Sequence, residues 1–170
     1  MIFETPRLII RKLRPEDLDA LAALYADAEV RRYFPEGVLD RQQTQDELDW
    51  FLREVPPEET ALGLHAIIHR DSGAFIGRGG LLPWIIEGRR EIETAYLIAR
   101  PYWRQGLGSE FLDGLVRHAQ EGLHISRLIA LIDGRNIASI RTAAKAGFAF
   151  ERIVEIDGSP AHLYALNARN

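Results

Sequence analysis

Trp103-Arg104-Gln105-Gly106-Leu107-Gly108-Ser109 joins a β-like run, Ile92 to Ala99, to a helix-like run, Phe111 to Gln120. The chemistry that such a junction offers is anion binding. The opening N–H groups of a helix lack carbonyl partners and stand at the positive end of the helix dipole, so a phosphate satisfies both at once. Gly106 and Gly108 carry no Cβ to obstruct a pyrophosphate, and both tolerate the positive φ that aims successive N–H groups into one hollow. Arg104 adds a long-reaching cation, and Gln105, Leu107 and Ser109 complete the turn. Glycines at this spacing also occur in turns that hold nothing, so the loop alone leaves both readings open. The P-loop is excluded because no Gly-x-x-x-x-Gly-Lys-Ser/Thr occurs, and Phe111 stands where the third glycine of a dinucleotide fingerprint would be.

Other residue types narrow the chemistry further. With no cysteine in the chain, disulfides, thiolate metal sites and a cysteine nucleophile are ruled out, so any acyl transfer proceeds without a protein thioester. His65 and His69 share a strand face but lie roughly 13 Å apart at about 3.3 Å per residue, too far for one metal. His118, His124 and His162 show no ligand spacing, and no metal is expected. A net charge of −4 argues against nucleic acid as a partner, since counterion release needs a basic face. The N-terminus lacks a basic segment followed by an apolar core, and no run approaches the ~18 apolar residues that span a bilayer. A cytoplasmic protein with no membrane partner is the expectation.

The elements that must position these residues follow from pattern. At 170 residues and 46% hydrophobic content, the chain suits one domain over 1–170. Leu8 to Leu13 reads as a strand, and Pro15-Glu16-Asp17 opens a helix carrying Leu18, Leu21, Ala22 and Tyr25 at helical spacing. Asp40 with Gln43 forms a capping box for a second helix, whose stripe is Leu48, Phe51, Leu52 and Val55, before the loop Pro56-Pro57-Glu58-Glu59. Strands Leu62 to His69, Ala74 to Leu82 and Glu91 to Ala99 are joined by short turns and so predicted antiparallel. Arg78-Gly79-Gly80 is assigned to close packing or a bend rather than to a second anion site.

After the glycine loop, a helix ends near Gly122. Leu128 to Ile132 is a strand, Asn136 caps a short helix, and Gly147 supplies its left-handed exit. A closing hairpin pairs Phe150 to Ile156 with Ala161 to Leu166. The segment from Ile92 to Ile132 is the one clear βαβ crossover, which makes its two strands parallel. Tyr33, Phe34, Trp50 and Phe51 are assigned to the core ahead of an acceptor cleft.

Three motifs, in order, resemble the GNAT acetyltransferases, and within them the ribosomal-protein N-terminal acetyltransferases. These are Thr5-Pro6-Arg7-Leu8-Ile9-Ile10-Arg11 with Pro15-Glu16-Asp17, then Tyr102 to Glu110, then Asn136-Ile137-Ala138-Ser139-Ile140-Arg141 with Lys145-Ala146-Gly147-Phe148. The resemblance spans nearly the whole chain. It implies a mixed α/β fold with a mostly antiparallel central sheet of about six to seven strands and helices on both faces. Two departures stand out: Trp103 occupies the first position of the broad family loop, and Ala143 stands where many relatives place the tyrosine that protonates the leaving thiolate.

The implied reaction is attack by an amine on the thioester of acetyl-CoA, the donor cosubstrate. The implied acceptor is a primary amine, either a protein N-terminus or a small molecule; a non-catalytic acyl-CoA-binding module is the rival class, and a monomer or homodimer is expected. By resemblance Glu93 is the base, acting directly or through a water, although among Glu87, Arg89, Arg90 and Glu91 it also reads as a solvated strand residue. Ser139 is the proton donor in place of the missing tyrosine, and Asn136 holds the cofactor arm. Backbone amides of Leu97, Ile98 and Ala99 are expected to serve the acetyl carbonyl through a bulge, with Leu97 and Ala99 pairing the pantetheine amides at a splayed strand edge.

Overall fold

The structure, a computed structural model, describes residues 1–53 and 62–168. The expected helix-end residue Val55 and the proline-glutamate loop 56–59 lie outside these. The described residues form one eight-stranded sheet, ordered β1-β2-β3-β4-β5-β6-β8-β7. The strands are β1 (Phe3–Glu4), β2 (Leu8–Lys12), β3 (Gly63–His69), β4 (Phe75–Ile86), β5 (Arg89–Ile98), β6 (Arg127–Ile132), β7 (Ala149–Ile156) and β8 (Ser159–Asn167). The eighth strand, unanticipated from the sequence, is the two-residue β1, too short to show an alternation. Every pairing is antiparallel except β5 with β6.

Among the described residues four α-helices flank the sheet: α1 (Leu18–Ala26), α2 (Arg41–Leu52), α3 (Leu107–Arg117) and α4 (Ile137–Lys145). Alternation along the strands divides the core in two. Leu64, Ala66, Ile68 and Leu97 pack with Leu21, Leu24 and Tyr25 of α1 and Leu48 of α2. Ile67 and Ile98, their neighbours in sequence, point the other way, to Phe111, Leu112 and Leu115 of α3 and Ala143 of α4. Period-two strands that bury both faces account for this, with helices on each side.

Local chemistry fixes the ends of the helices. Asp40 accepts from the Gln43 N–H at 2.9 Å while the Gln43 side chain accepts from the Asp40 N–H at 2.9 Å, the reciprocal box read from the sequence. Asn136 accepts from the Ser139 N–H at 3.2 Å and so starts α4, and Gly147 leaves it at φ +94°. α3 begins at Leu107, ahead of the run starting at Phe111, and passes into a π-helical turn over His118–Gly122.

The glycines after Arg78 confirm close packing. A Cβ on Gly80 would stand 1.9 Å from the Gly63 carbonyl oxygen, and one on Gly79 would stand 2.5 Å from the Phe111 ring. Backbone cannot yield as a side-chain tip can. Gly80→Ala is therefore expected to destabilise the protein by about 2–3 kcal/mol, measured by urea unfolding; a neutral result would show that β3 and β4 separate more easily than their contact implies.

Candidate active site

β5 and β6 are in register at one pair only, Glu93↔Ile129. Thr94 adds a side-chain link, its hydroxyl donating to the Ile129 carbonyl at 3.2 Å. Beyond that point β6 pairs with β8 while β5 stays with β4, so the two parallel strands diverge. The wedge opens into a cavity of about 850 Å³ lined by Thr94 to Leu97 of β5 and Ala130 to Ile132 of β6. Glu93, Leu97, Asn136 and Ser139 all line it, as does Ala143, which is buried. Four positions that the family resemblance implies thus line one opening.

Glu93 is 9% exposed, and its Oε2 accepts from the Trp84 indole N–H at 2.6 Å. Burial lifts its carboxyl to about 7, although the Trp84 N–H, the Arg78 charge and the Leu131 backbone all pull the other way. The reading of Glu93 as a solvated strand residue does not survive this environment. Glu91, on the same strand and likewise buried, is neutralised instead by Arg127, whose Nε stands 2.9 Å from its Oε2.

The backbone edge needs a correction. The β4–β5 register runs without a shift from Gly77↔Ile98 to Ile86↔Arg89, so no bulge interrupts it near Leu97 to Ala99. The Ala99 N–H donates to the Ile76 carbonyl at 2.7 Å, and alternation turns the Leu97 amide toward β4 as well. The groups facing the open wedge belong to Tyr96 and Ile98. Of these, the Ile98 carbonyl accepts from the Trp103 indole at 2.6 Å, which explains why the tryptophan belongs in this loop.

At the neighbouring end, the glycine loop leads into α3 with no side-chain cap, and the Glu110 N–H makes its first bond back to the Gly106 carbonyl at 3.0 Å. The N–H groups of Leu107, Gly108 and Ser109 precede that bond and lack helical partners. Positive φ falls on Arg104 (60°) and Gly106 (77°), not on Gly108, which lies inside the first turn. A Cβ on Gly108 would merely touch the Tyr96 ring at 3.4 Å, so internal packing does not demand a glycine there.

Some functional geometry escaped the sequence reading. Glu110 accepts from the Thr5 hydroxyl at 2.6 Å, the Arg7 N–H at 2.7 Å and the Arg7 Nε at 2.6 Å. Partial burial opposes ionisation, yet these donors hold its carboxyl below the ordinary value. Arg7 Nη1 also donates to the Gln105 carbonyl at 2.9 Å. The Thr5 and Arg7 of the first motif thus clamp the glycine loop of the second, a link invisible at a separation of about a hundred residues. Tyr33 lines the cavity, against its assignment to the core, and Phe34 packs against the core as assigned while also lining the cavity, because the connection from α1 to α2 forms one of its walls. Phe51 does pack in the core, whereas Trp50 is exposed. Arg78 also lines the cavity, so the assignment of that motif to packing alone holds only for its glycines.

Residues 7–149 match the family model for the acetyltransferase (GNAT) domain. The chain belongs to the GNAT acetyltransferase family, enzymes whose acyl donor is acetyl-CoA. It is 29% identical to an uncharacterised N-acetyltransferase, YoaA, of Bacillus subtilis, over 90% of this chain and 85% of that one. Its fold is shared with a GNAT acetyltransferase from Bacillus anthracis (TM-score 0.80, 20% identity, 96% of each chain). It is shared too with an aminoglycoside acetyltransferase in complex with coenzyme A (TM-score 0.72, 16% identity, 94% of each chain). The uncapped helix mouth, the open backbone edge and the absence of a Cβ at Gly106 fit a diphosphate-bearing donor. Among the described residues, no helix is long and apolar enough to cross a membrane.

The charge state of Glu93 has a consequence for stability. Its folded pKa lies above the unfolded value, so the folded chain keeps a proton that the unfolded chain releases, and stability falls as pH rises from about 4.5 to about 7. Glu93→Gln carries no such penalty. The variant is expected to be more stable than wild type by up to about 3 kcal/mol at pH 8, with no gain at pH 4.5, as read by chemical denaturation at both pH values. An equal difference at both would mean that the carboxyl is not held protonated by burial.

Proposed function

We propose that the protein transfers the acetyl group of acetyl-CoA to a primary amine by direct attack, and that the acceptor is the N-terminal amine of a peptide, as in the ribosomal-protein branch that its motifs resemble. The observation that carries this reading is a buried carboxyl titrating near 7 at the apex of the wedge. A base is most effective with a pKa near the working pH. A peptide α-amine, at about 7.7–8.0, is within reach of such a base, whereas a lysine amine at about 10.4 demands more.

Bound acetyl-CoA supplies the thioester carbon that is attacked and the thiolate that leaves. Loop amides from Leu107 to Ser109, with Arg104 beside them, hold its diphosphate, and the Tyr96 and Ile98 edge pairs with its arm. Glu93 accepts the proton that the amine sheds as its nitrogen bonds to the acetyl carbon. Ser139, with its N–H tied to Asn136, offers its hydroxyl to the sulfur as the carbon–sulfur bond breaks. Ala143 leaves space at that point and provides no proton of its own. Trp84 keeps the Glu93 carboxylate oriented toward the cavity.

Gly106→Glu places a carboxylate in the hollow, where an added Cβ meets only the Arg7 guanidinium at 3.6 Å and the φ of +77° adds backbone strain of about 1 kcal/mol. It is expected to weaken acetyl-CoA binding by at least about tenfold while the fold persists; unchanged affinity in calorimetry would refute the loop assignment.

For the base, kcat/KM of wild type should fall through two acidic limbs, one at about 7.7–8.0 from the acceptor α-amine and a second near pH 7 from Glu93. Glu93→Gln should lose the second limb and fall roughly a hundredfold at pH 8, in a thiol-release assay. Persistence of that second limb in the variant would remove Glu93 from the role.

A further inference from the structure

Arg78 is 5% exposed, stands on β4 and lines the cavity. Its Nε donates to the Tyr25 hydroxyl at 2.9 Å, and that hydroxyl in turn donates to Glu47. Burial holds the Tyr25 phenol up at about 12, so it stays a donor to Glu47 and brings Arg78 no negative charge. Beside it, Arg31 is 4% exposed, its Nε bonded to the Gly37 carbonyl at 2.7 Å and its guanidinium 4.3 Å from the Phe34 ring centroid. Burial and then the Arg78 charge both disfavour the protonated form of Arg31. Two buried guanidiniums thus share the Tyr25 and Phe34 rings; of the nearby carboxylates, Glu47 is engaged by Tyr25 and Glu36 stands against Arg31.

The two Nη groups of Arg78 have no hydrogen-bond or ion partner among the described residues. Glu36, the carboxylate that lines this wall, lies 3.7 Å from Arg31 and is mostly exposed. Of the acids at the far side, Asp133 is held by Arg135 at 2.6 Å and Glu93 by Trp84, while Asp157 sits in the turn between β7 and β8. Ring stacking offsets part of the desolvation of a guanidinium, yet a buried cation with an open fork is an expensive feature unless an anion completes it. A planar fork facing a cavity matches a carboxylate in two-pronged geometry.

We propose that Arg78 receives a carboxylate of the acceptor, set several bonds away from the amine that reacts; this rests on the acyl-transfer reading above. The separation follows from register. Arg78 pairs with Leu97, and Glu93 lies four residues further along the same strand on the same face, roughly 13 Å at about 3.3 Å per residue before either side chain reaches inward. A free α-amino acid, whose amine and carboxylate share one carbon, fits that backbone spacing less well than a longer acceptor. An acidic side chain at the second or third residue of a peptide spans the gap.

The test uses pairs of hexapeptide amides differing only by glutamate or glutamine at position two or three, with an ω-amino acid and its amide run alongside. Wild type is expected to favour the acidic member of a pair by roughly tenfold or more in kcat/KM, mainly through KM. Arg78→Met should abolish the preference and Arg78→Lys should keep part of it, while acetyl-CoA affinity by calorimetry stays within about twofold of wild type. Equal rates within every pair for wild type overturn the proposal, as does an equal loss on both members in Arg78→Met with preserved acetyl-CoA binding. Turnover of neither peptide but of the ω-amino acid over its amide would overturn the peptide reading and uphold Arg78. Failure of Arg78→Met to fold leaves the wild-type pairs and Arg78→Lys to decide, and silence on every amine overturns both readings.

Discussion

The single in-register pair between β5 and β6 is the constraint on which the rest of the site depends. A parallel pair joined by a helical crossover would ordinarily continue along both strands, and here each is drawn away by a stronger neighbour. β5 is held by the ten-residue register with β4, and β6 by the six-residue register with β8. Divergence leaves backbone groups of Tyr96 and Ile98 without a strand partner in the middle of a sheet. Unpaired backbone at an interior edge is costly unless something else bonds to it, which makes the wedge a place for an extended ligand rather than a packing defect. The same divergence sets Glu93 at the apex, where the sheet is closed enough to dehydrate it and open enough to expose it to the cavity.

Local punctuation made much of the fold legible. The Asp40 and Gln43 box, the Asn136 cap, the Gly147 exit and the antiparallel run through β3, β4 and β5 each depend on residues a few positions apart, and the sequence shows those directly. The meeting of Glu93, Asn136 and Ser139 was legible only by resemblance to a family, since nothing local places a strand residue against the start of a later helix. Helix α3 begins at the buried Leu107, earlier than the run from Phe111, because the half-buried Gly108, Ser109 and Glu110 of the helix mouth interrupt the apolar pattern between them.

What stayed hidden depends on phase and on distant neighbours. Which strand residues turn their amides toward β4 is decided by the β4–β5 register, and a one-residue change of phase transfers the open edge from Leu97 and Ala99 to Tyr96 and Ile98. Glu93 sits in a charged stretch, and the sequence cannot tell that Glu91 finds Arg127 while Glu93 finds an indole and the Leu131 backbone. Arg78 followed by glycines reads as a tight packing point, and so it is for the backbone. Its side chain acquires a different meaning only when Tyr25 of α1 and Phe34 of the next loop close around it.

Glu93 and Arg78 share a physical condition that most buried charges avoid. Each is removed from water, and among the described residues neither has an opposite charge within hydrogen-bond reach. Such groups lower the stability of the empty protein, so their presence on one face of one cavity wall argues against a merely structural purpose for either. A ligand carrying an ammonium near Glu93 and a carboxylate near Arg78 would relieve both penalties together, and would do so only in the orientation that points its amine at the apex of the wedge. Electrostatic strain held in the free protein would then act as the device that orients the acceptor. Loss of either charge should weaken that orientation without disturbing the loop at the other end, where the Arg7 and Glu110 clamp operates through separate elements.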